Sequence, residues 1–90
     1  MTLPDNFPEL VYVSFDLDGL DPAVLPATGT PVPGGLGFYQ ALDLVSSACS
    51  GRKIVGMDIV ELAPSLAHPA SNFTAALVTY HLIALALSSR

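Results

Sequence analysis

Residues 10–15 (LVYVSF) form an almost unbroken apolar run, rich in β-branched and aromatic side chains, that ends at Asp16 and Asp18. The run predicts a short strand covered on both faces, as strands of parallel sheets are. The pattern then breaks. Between 19 and 37, prolines at 22, 26, 31 and 33 and glycines at 19, 29, 34, 35 and 37 predict one long loop without a regular element. Loops of that length in compact domains are functional or disordered, and the apolar Val24, Leu25, Val32 and Leu36 predict an ordered one. From Phe38 to Cys49 the apolar positions 38, 41, 42, 45, 48 and 49 recur at helical spacing, the stripe of a helix lying on a sheet. Gly51 offers its C-terminal cap, followed by Arg52 and Lys53. Ile54 to Val60 reads as a second buried strand, with Asp58 inside it and Glu61 at its end. Residues 63–70 form a loop holding Pro64 and Pro69, and Ser71 or Asn72 is the expected N-cap of a final helix from about Phe73 to Ser88.

The resulting order, β-loop-α-β-loop-α, is that of an α/β unit in which a crossover helix joins two parallel strands. Ligands of such units bind outside the carboxyl ends of the strands. Asp16, Asp18 and Glu61 fall at those ends. No repeat, low-complexity segment or domain boundary divides residues 1–90.

Composition changes this picture in one respect. Only 12% of the residues are charged and 51% are hydrophobic, where a soluble domain carries about 25% charge and a small one needs a large polar surface. The chain is therefore expected to bury surface against something else: missing chain, sister subunits, or both. A net charge of −5 without any basic stretch excludes a nucleic-acid partner. The single Cys49 precludes an internal disulfide and points to a reducing compartment, the cytoplasm. The opening MTLPDNFPEL lacks the basic start and apolar core of a signal peptide. Residues 73–87 (FTAALVTYHLIALAL) fall short of the roughly 18–20 needed to span a bilayer, and Thr79, Tyr80 and His81 interrupt them; the expectation is a buried helix and no membrane.

Asp16 and Asp18 are two apart, so on an extended strand their carboxylates point the same way. Their repulsion is relieved by a proton, a cation or solvent. A divalent metal and plain turn-capping acids both answer that requirement. An EF-hand loop does not: Gly19 comes too early, Leu20 takes a ligand position and Ala27 stands in place of the closing glutamate. An apolar strand followed by D-x-D-G also resembles the haloacid-dehalogenase-type phosphatases, although those continue with Thr where Leu20 stands here.

The whole stretch SFDLDGLDPAVLPATGTPVPGGL (14–36) closely resembles the signature of the ureohydrolase family, which includes arginases, agmatinases and related amidinohydrolases. Its pattern, S-x-D-x-D-x-x-D-P-x-x-x-P-x-T-G-T-P-x-x-G-G, is filled at every fixed position. GMDIVELAP (56–64) extends the likeness, which runs over about 11–87. The resemblance implies the three-layer α/β/α arginase-like fold, of which residues 1–90 would be a C-terminal β-loop-α-β-loop-α part of a single domain. It also implies two Mn2+ ions and hydrolysis of a guanidino compound to urea and an amine.

Position by position, Asp16 and Asp18 match metal ligands, Glu61 the glutamate that pairs with the guanidinium, and Thr28 a place beside the substrate. Asp21 would orient the loop or the ligands without touching metal, and Asp58 would do the same or be a buried hydrogen-bonded acid. Gly29, Gly34 and Gly35 would supply backbone conformations that other residues resist. His81 is read as a core or interface histidine, and His68 as a residue able to reach the site's rim. The family's histidine motifs, G-G-D-H and D-A-H-x-D, do not occur in this sequence, so two of six metal ligands are present. The chain alone is expected to be inactive, with a homo-oligomer or the missing N-terminal part of the fold as its partner. A non-catalytic oligomerisation remnant is the alternative reading, and a phosphatase fragment a distant third.

Overall fold

The computed structural model describes residues 3–89; Met1 and Thr2, which open the segment read for a signal peptide, lie outside the described residues. Strand β1 (Leu10–Asp16) is followed by a 3-10 turn (Leu17–Gly19), helix α1 (Phe38–Ala48), strand β2 (Lys53–Val60) and helix α2 (Ala70–Ser88). The strands pair in parallel, as the crossover predicts, with Asp16 opposite Val60. Their register shifts by one residue between Val11 and Tyr12, so that Val55 bulges out of the ladder.

Both helices pack on one side of this two-stranded sheet. Phe15 of β1, Ala41 of α1 and Ala75, Val78 and Leu82 of α2 share a core with Leu17, Leu20 and Leu25 of the loop. Each of those three loop leucines is 1% exposed, and burying each contributes about 2 kcal/mol. Val11, Cys49 and Ile54 form a second cluster. The opposite sheet face is bare: Leu10 and Tyr12 are 61% and 60% exposed. Coverage of β1 on both faces is therefore not observed among the described residues, because both helices lie on the same side of the sheet.

The loop is ordered, as its apolar residues predict. Its two ends meet in a parallel bridge between Leu20 and Leu36, made by Asp21 N–H to Leu36 O and Leu36 N–H to Gly19 O. Gly35 lies so close to this bridge that a Cβ there would stand 2.7 Å from Asp21 N and 2.8 Å from the Leu20 carbonyl carbon. Gly34 adopts φ +87°, which only glycine takes without strain. Neither condition applies at Gly29, and Val32 is exposed, not packed.

Helix α1 begins at Phe38, where Gln40 Oε1 accepts from Gly37 N–H at 3.2 Å. It ends near Gly51, which turns the chain at φ +75°. Helix α2 begins three residues earlier than its apolar pattern suggests. Pro69, already at helical φ and ψ, occupies the N-cap, and Ser71 is a buried residue of the first turn whose Oγ has no partner. A proline at a helix start loses no intrahelical hydrogen bond, which favours this entry. The helix is 19 residues long and, by length and composition, apolar enough to cross a membrane, so length does not exclude it. It is buried along one stripe (Ser71, Ala75, Val78, Leu82) and exposed along the other, not buried throughout.

Candidate functional site

The carboxyl ends of β1 and β2 coincide because Asp16 pairs with Val60, which places Asp16 beside the residue preceding Glu61. Asp16 ends its strand as the cap of the 3-10 turn, its Oδ1 accepting from Asp18 N–H at 3.1 Å. Asp18 thus lies in a turn and not on an extended strand, and strand alternation does not account for the pairing of the two acids. The turn itself brings their carboxyl groups together. Thr30 Oγ1 donates to Asp18 Oδ2 at 2.6 Å, tying the far side of the loop to the pair.

Electrostatics separates the two acids. The Asp18 N–H lowers the Asp16 carboxyl, but desolvation and the hydrogen bond and charge of the Asp18 carboxylate outweigh it, leaving Asp16 above the ordinary carboxylate value. Asp18 is held below that value by the Thr30 hydroxyl and then by its hydrogen bond to Asp16, against a smaller desolvation effect. Each carboxylate thus opposes or favours ionisation of its neighbour, as like charges held close together do.

Asp21 serves the loop. Its carboxylate accepts from Ala23 N–H at 2.9 Å and Gly34 N–H at 3.0 Å, and its carbonyl from Val24 and Leu25. The Ala23 bond is the largest cause of a carboxyl pKa below the usual range; desolvation opposes it, and the Gly34 and Gly35 N–H groups add to it.

Glu61 is the only non-glycine with positive φ among the described residues, at +72°. Such backbone costs about 1–3 kcal/mol and clusters at functional positions. Its side chain is exposed. Two residues on, Ala63 N–H donates to Ala27 O at 2.8 Å, which carries Thr28 to the same edge. Thr28 Oγ1 is buried without a hydrogen-bond partner.

Asp58, opposite Ser14 on the neighbouring strand, accepts from Ser14 Oγ at 2.6 Å and Tyr12 Oη at 2.9 Å. The bond to Asp58, desolvation and the Asp58 charge push the Tyr12 phenol up. The Tyr12 ring lies over Gly56, where a Cβ would meet it at 2.8 Å. Asp58 is thus a hydrogen-bonded acid that clamps the strands carrying the other acids. His68 and His81 are both exposed; the His81 ring stands edge-on to Phe38 at 6.0 Å, so it is not a core residue. No group of three or more His, Cys, Asp or Glu side chains converges among the described residues.

Sequence spacing missed Thr30, Tyr12 and Ser14. Thr30 lies within the fixed T-G-T-P of the loop pattern, a signal for its importance though not for its partner.

Comparisons with known proteins point one way. Residues 3–85 match the Arginase family. An N(1)-aminopropylagmatine ureohydrolase of Thermus thermophilus is 47% identical over 75 residues, covering 83% of this chain and 25% of that protein. An agmatinase of Chromobacterium violaceum is 58% identical over 55 residues, 61% of this chain and 17% of that one. Among solved structures, the agmatine ureohydrolase of Thermoplasma volcanium superposes with a TM-score of 0.73 at 37% identity, over 87% of this chain and 26% of that one. Proclavaminate amidino hydrolase of Streptomyces clavuligerus gives 0.72 at 37% identity, over 83% and 25%. The chain spans about a quarter of the length of the Thermus relative, and its strand-loop-helix architecture is the corresponding part of the arginase-like α/β fold. This chain belongs to the arginase family.

Proposed function

We propose that the chain carries two metal-ligand aspartates, Asp16 and Asp18, and the guanidinium-binding Glu61 of a binuclear manganese amidinohydrolase site. The remaining ligands come from the other strands of the family's fold. The observation that carries this reading is that the hydrogen-bonded Asp16 and Asp18 and the positive-φ Glu61 emerge side by side at one sheet edge. The D-x-D-G stretch then belongs to the ureohydrolase pattern and not to that of a phosphatase.

The donors suit the metal in kind. Carboxylate oxygens are hard ligands for hard divalent ions. Asp16 Oδ1 and Asp18 Oδ2 are engaged by Asp18 N–H and Thr30 Oγ1, which orients both groups and leaves one oxygen of each for a cation. Relief of the repulsion between two neighbouring carboxylates is what a cation provides. The donors fall short in number, since hard divalent ions take about six ligands; this chain alone therefore binds manganese weakly and does not turn over. When bound, such ions supply the acidification of water at neutral pH.

Glu61 receives the guanidinium, whose two parallel N–H donors fit one carboxylate. That end is common to arginine, agmatine and other guanidino compounds. Thr28 offers its unpartnered hydroxyl beside it, Asp21 holds the loop in shape, and the Tyr12–Asp58–Ser14 clamp fixes one strand end against the other. A reducing cytoplasm suits the buried Cys49 thiol, whose pKa burial pushes up against the smaller opposing pull of Arg52.

Calorimetric titration of Mn2+ into the chain tests the ligand assignment. Binding of about millimolar strength, abolished by Asp16→Asn/Asp18→Asn, is the expected result; equal binding by the variant would refute it. Grafting the chain in place of the equivalent quarter of the Thermus ureohydrolase tests Glu61. Urea release by the graft should drop about 100-fold or more on Glu61→Gln.

A further inference from the structure

Asp58 clamps the two strands through its oxygens, and its charge remains. Ser14 and Asp16, two apart on β1, point to the same face of the sheet. Ser14 stands opposite Asp58, and Asp16 opposite Val60. The 2.6 Å bond from Ser14 Oγ to Asp58 Oδ1 holds the Asp58 carboxylate to that open face. Asp58 therefore lies one pleat below Asp16 and one strand across. Two residues along a strand and one strand spacing separate their backbones by about 8 Å. Charges at that distance act on each other through water at low salt.

We propose that Asp58 is a third negative charge of the carboxylate site, which strengthens divalent-cation binding at Asp16 and Asp18 without ligating the cation. The inference rests on the ligand reading of that pair. Ligation by Asp58 itself is disfavoured by its hydrogen bonds. Both of its oxygens accept from hydroxyls, Oδ1 from Ser14 and Oδ2 from Tyr12, whereas Asp16 and Asp18 each keep one oxygen free of the bonds that orient them.

The kind of donor suits Asp58 to this role. A buried or half-buried carboxylate needs hydrogen-bond partners, and a lysine or arginine would supply them while cancelling the charge. Two neutral hydroxyls satisfy the oxygens and leave the charge to act on a cation. Gly56 makes room for the ring that delivers one of them, since a Cβ there would stand 2.8 Å from Tyr12. The Asp58 bond, desolvation and the Asp58 charge in turn push the Tyr12 phenol up, which keeps it a donor.

Titration of Mn2+ into the 90-residue chain, with free Mn2+ counted by electron paramagnetic resonance, tests the proposal. A unit charge about 8 Å away changes affinity for a divalent ion about fivefold in water, or about threefold after screening at low ionic strength. Asp58→Asn should weaken binding by that factor, and Asp58→Glu should restore it. At about 1 M salt, where the screening length is about 3 Å, the difference should vanish. Tyr12→Phe/Ser14→Ala removes the clamp and keeps the charge, so its urea midpoint should fall while its Mn2+ affinity stays that of the parent. Asp43→Asn, on α1 across the sheet, removes an equal charge and should change nothing. Helical circular dichroism checks that each variant is folded. Parent-like binding by Asp58→Asn at low salt would overturn the proposal. So would a difference that persists at high salt, or an equal loss in Tyr12→Phe/Ser14→Ala, since either makes the clamp the cause. An equal loss in Asp43→Asn would reduce the effect to net charge and overturn it as well. Parent-like binding by Asp16→Asn/Asp18→Asn is a separate result, which would refute the ligand assignment and this inference with it.

Discussion

The carboxyl end of β1 and that of β2 meet at one edge, yet they are held in opposite ways. At β1 every acid is wired into the chain's own loop: Asp16 to Asp18 N–H, Asp18 to Thr30, and Asp21 to Ala23 and Gly34. At β2, Glu61 is held by an unfavourable backbone conformation and points into solvent. The difference follows from what each end is proposed to do. Metal ligands must stay fixed while repelling each other, so their positions are over-determined by local hydrogen bonds. A group that grips a substrate must keep its oxygens free, and backbone strain aims it without occupying them.

Breaking the wiring of β1 should give the largest effect. Gly35→Ala would put a Cβ within 2.9 Å of three backbone atoms of Leu20 and Asp21, none of which can rotate away. Overpacking of this kind costs about 1–3 kcal/mol, and here the upper end applies. Urea denaturation should show a midpoint lowered accordingly, with manganese binding lost. An unchanged midpoint would mean that the Leu20–Leu36 bridge does not hold the loop.

That bridge marks where sequence reasoning stopped. The strands and α1 were legible because their apolar periods are local: α1 starts at Phe38 as its stripe predicts, and β2 starts one residue before Ile54. The acids at the strand ends were legible too, by pattern. How they are held was not. The alternation rule assumes that the strand continues through Asp18, whereas a 3-10 turn begins at Leu17. The Thr30–Asp18 bond joins residues twelve apart in a loop without periodicity. The apolar run 10–15 likewise predicts two covered faces, because it records what the whole fold covers and not what these residues cover by themselves.

At β2 the comparison predicts a change of opposite sign. Glu61→Gly removes the cost of φ +72°, and after the extra freedom glycine gives the unfolded chain it should stabilise the protein by about 1 kcal/mol. The same substitution in the graft with the Thermus relative should abolish urea release. Stability gained while function is lost is the mark of strain kept for use. If thermal melts instead show Glu61→Gly to be less stable, the glutamate side chain makes stabilising contacts and the contrast between the two ends fails.

The smallest effect is the pH dependence of the β1 wiring. Asp21 titrates below the ordinary carboxylate value because its charged form accepts backbone N–H bonds. The unfolded chain takes up that proton near pH 4, while the folded chain resists it to lower pH. The stability due to Asp21 is therefore fully present above pH 4 and is lost as pH falls through the lower folded value. Asp21→Asn keeps a side-chain oxygen for Ala23 but removes the charge, so its denaturation midpoint should lie below that of the parent at pH 6 and approach it at pH 3. The carboxylate is solvent-exposed and screened, which keeps the difference small. If the gap is the same at both pH values, Asp21 acts through geometry alone, and the charge at that position is not part of what holds the β1 end.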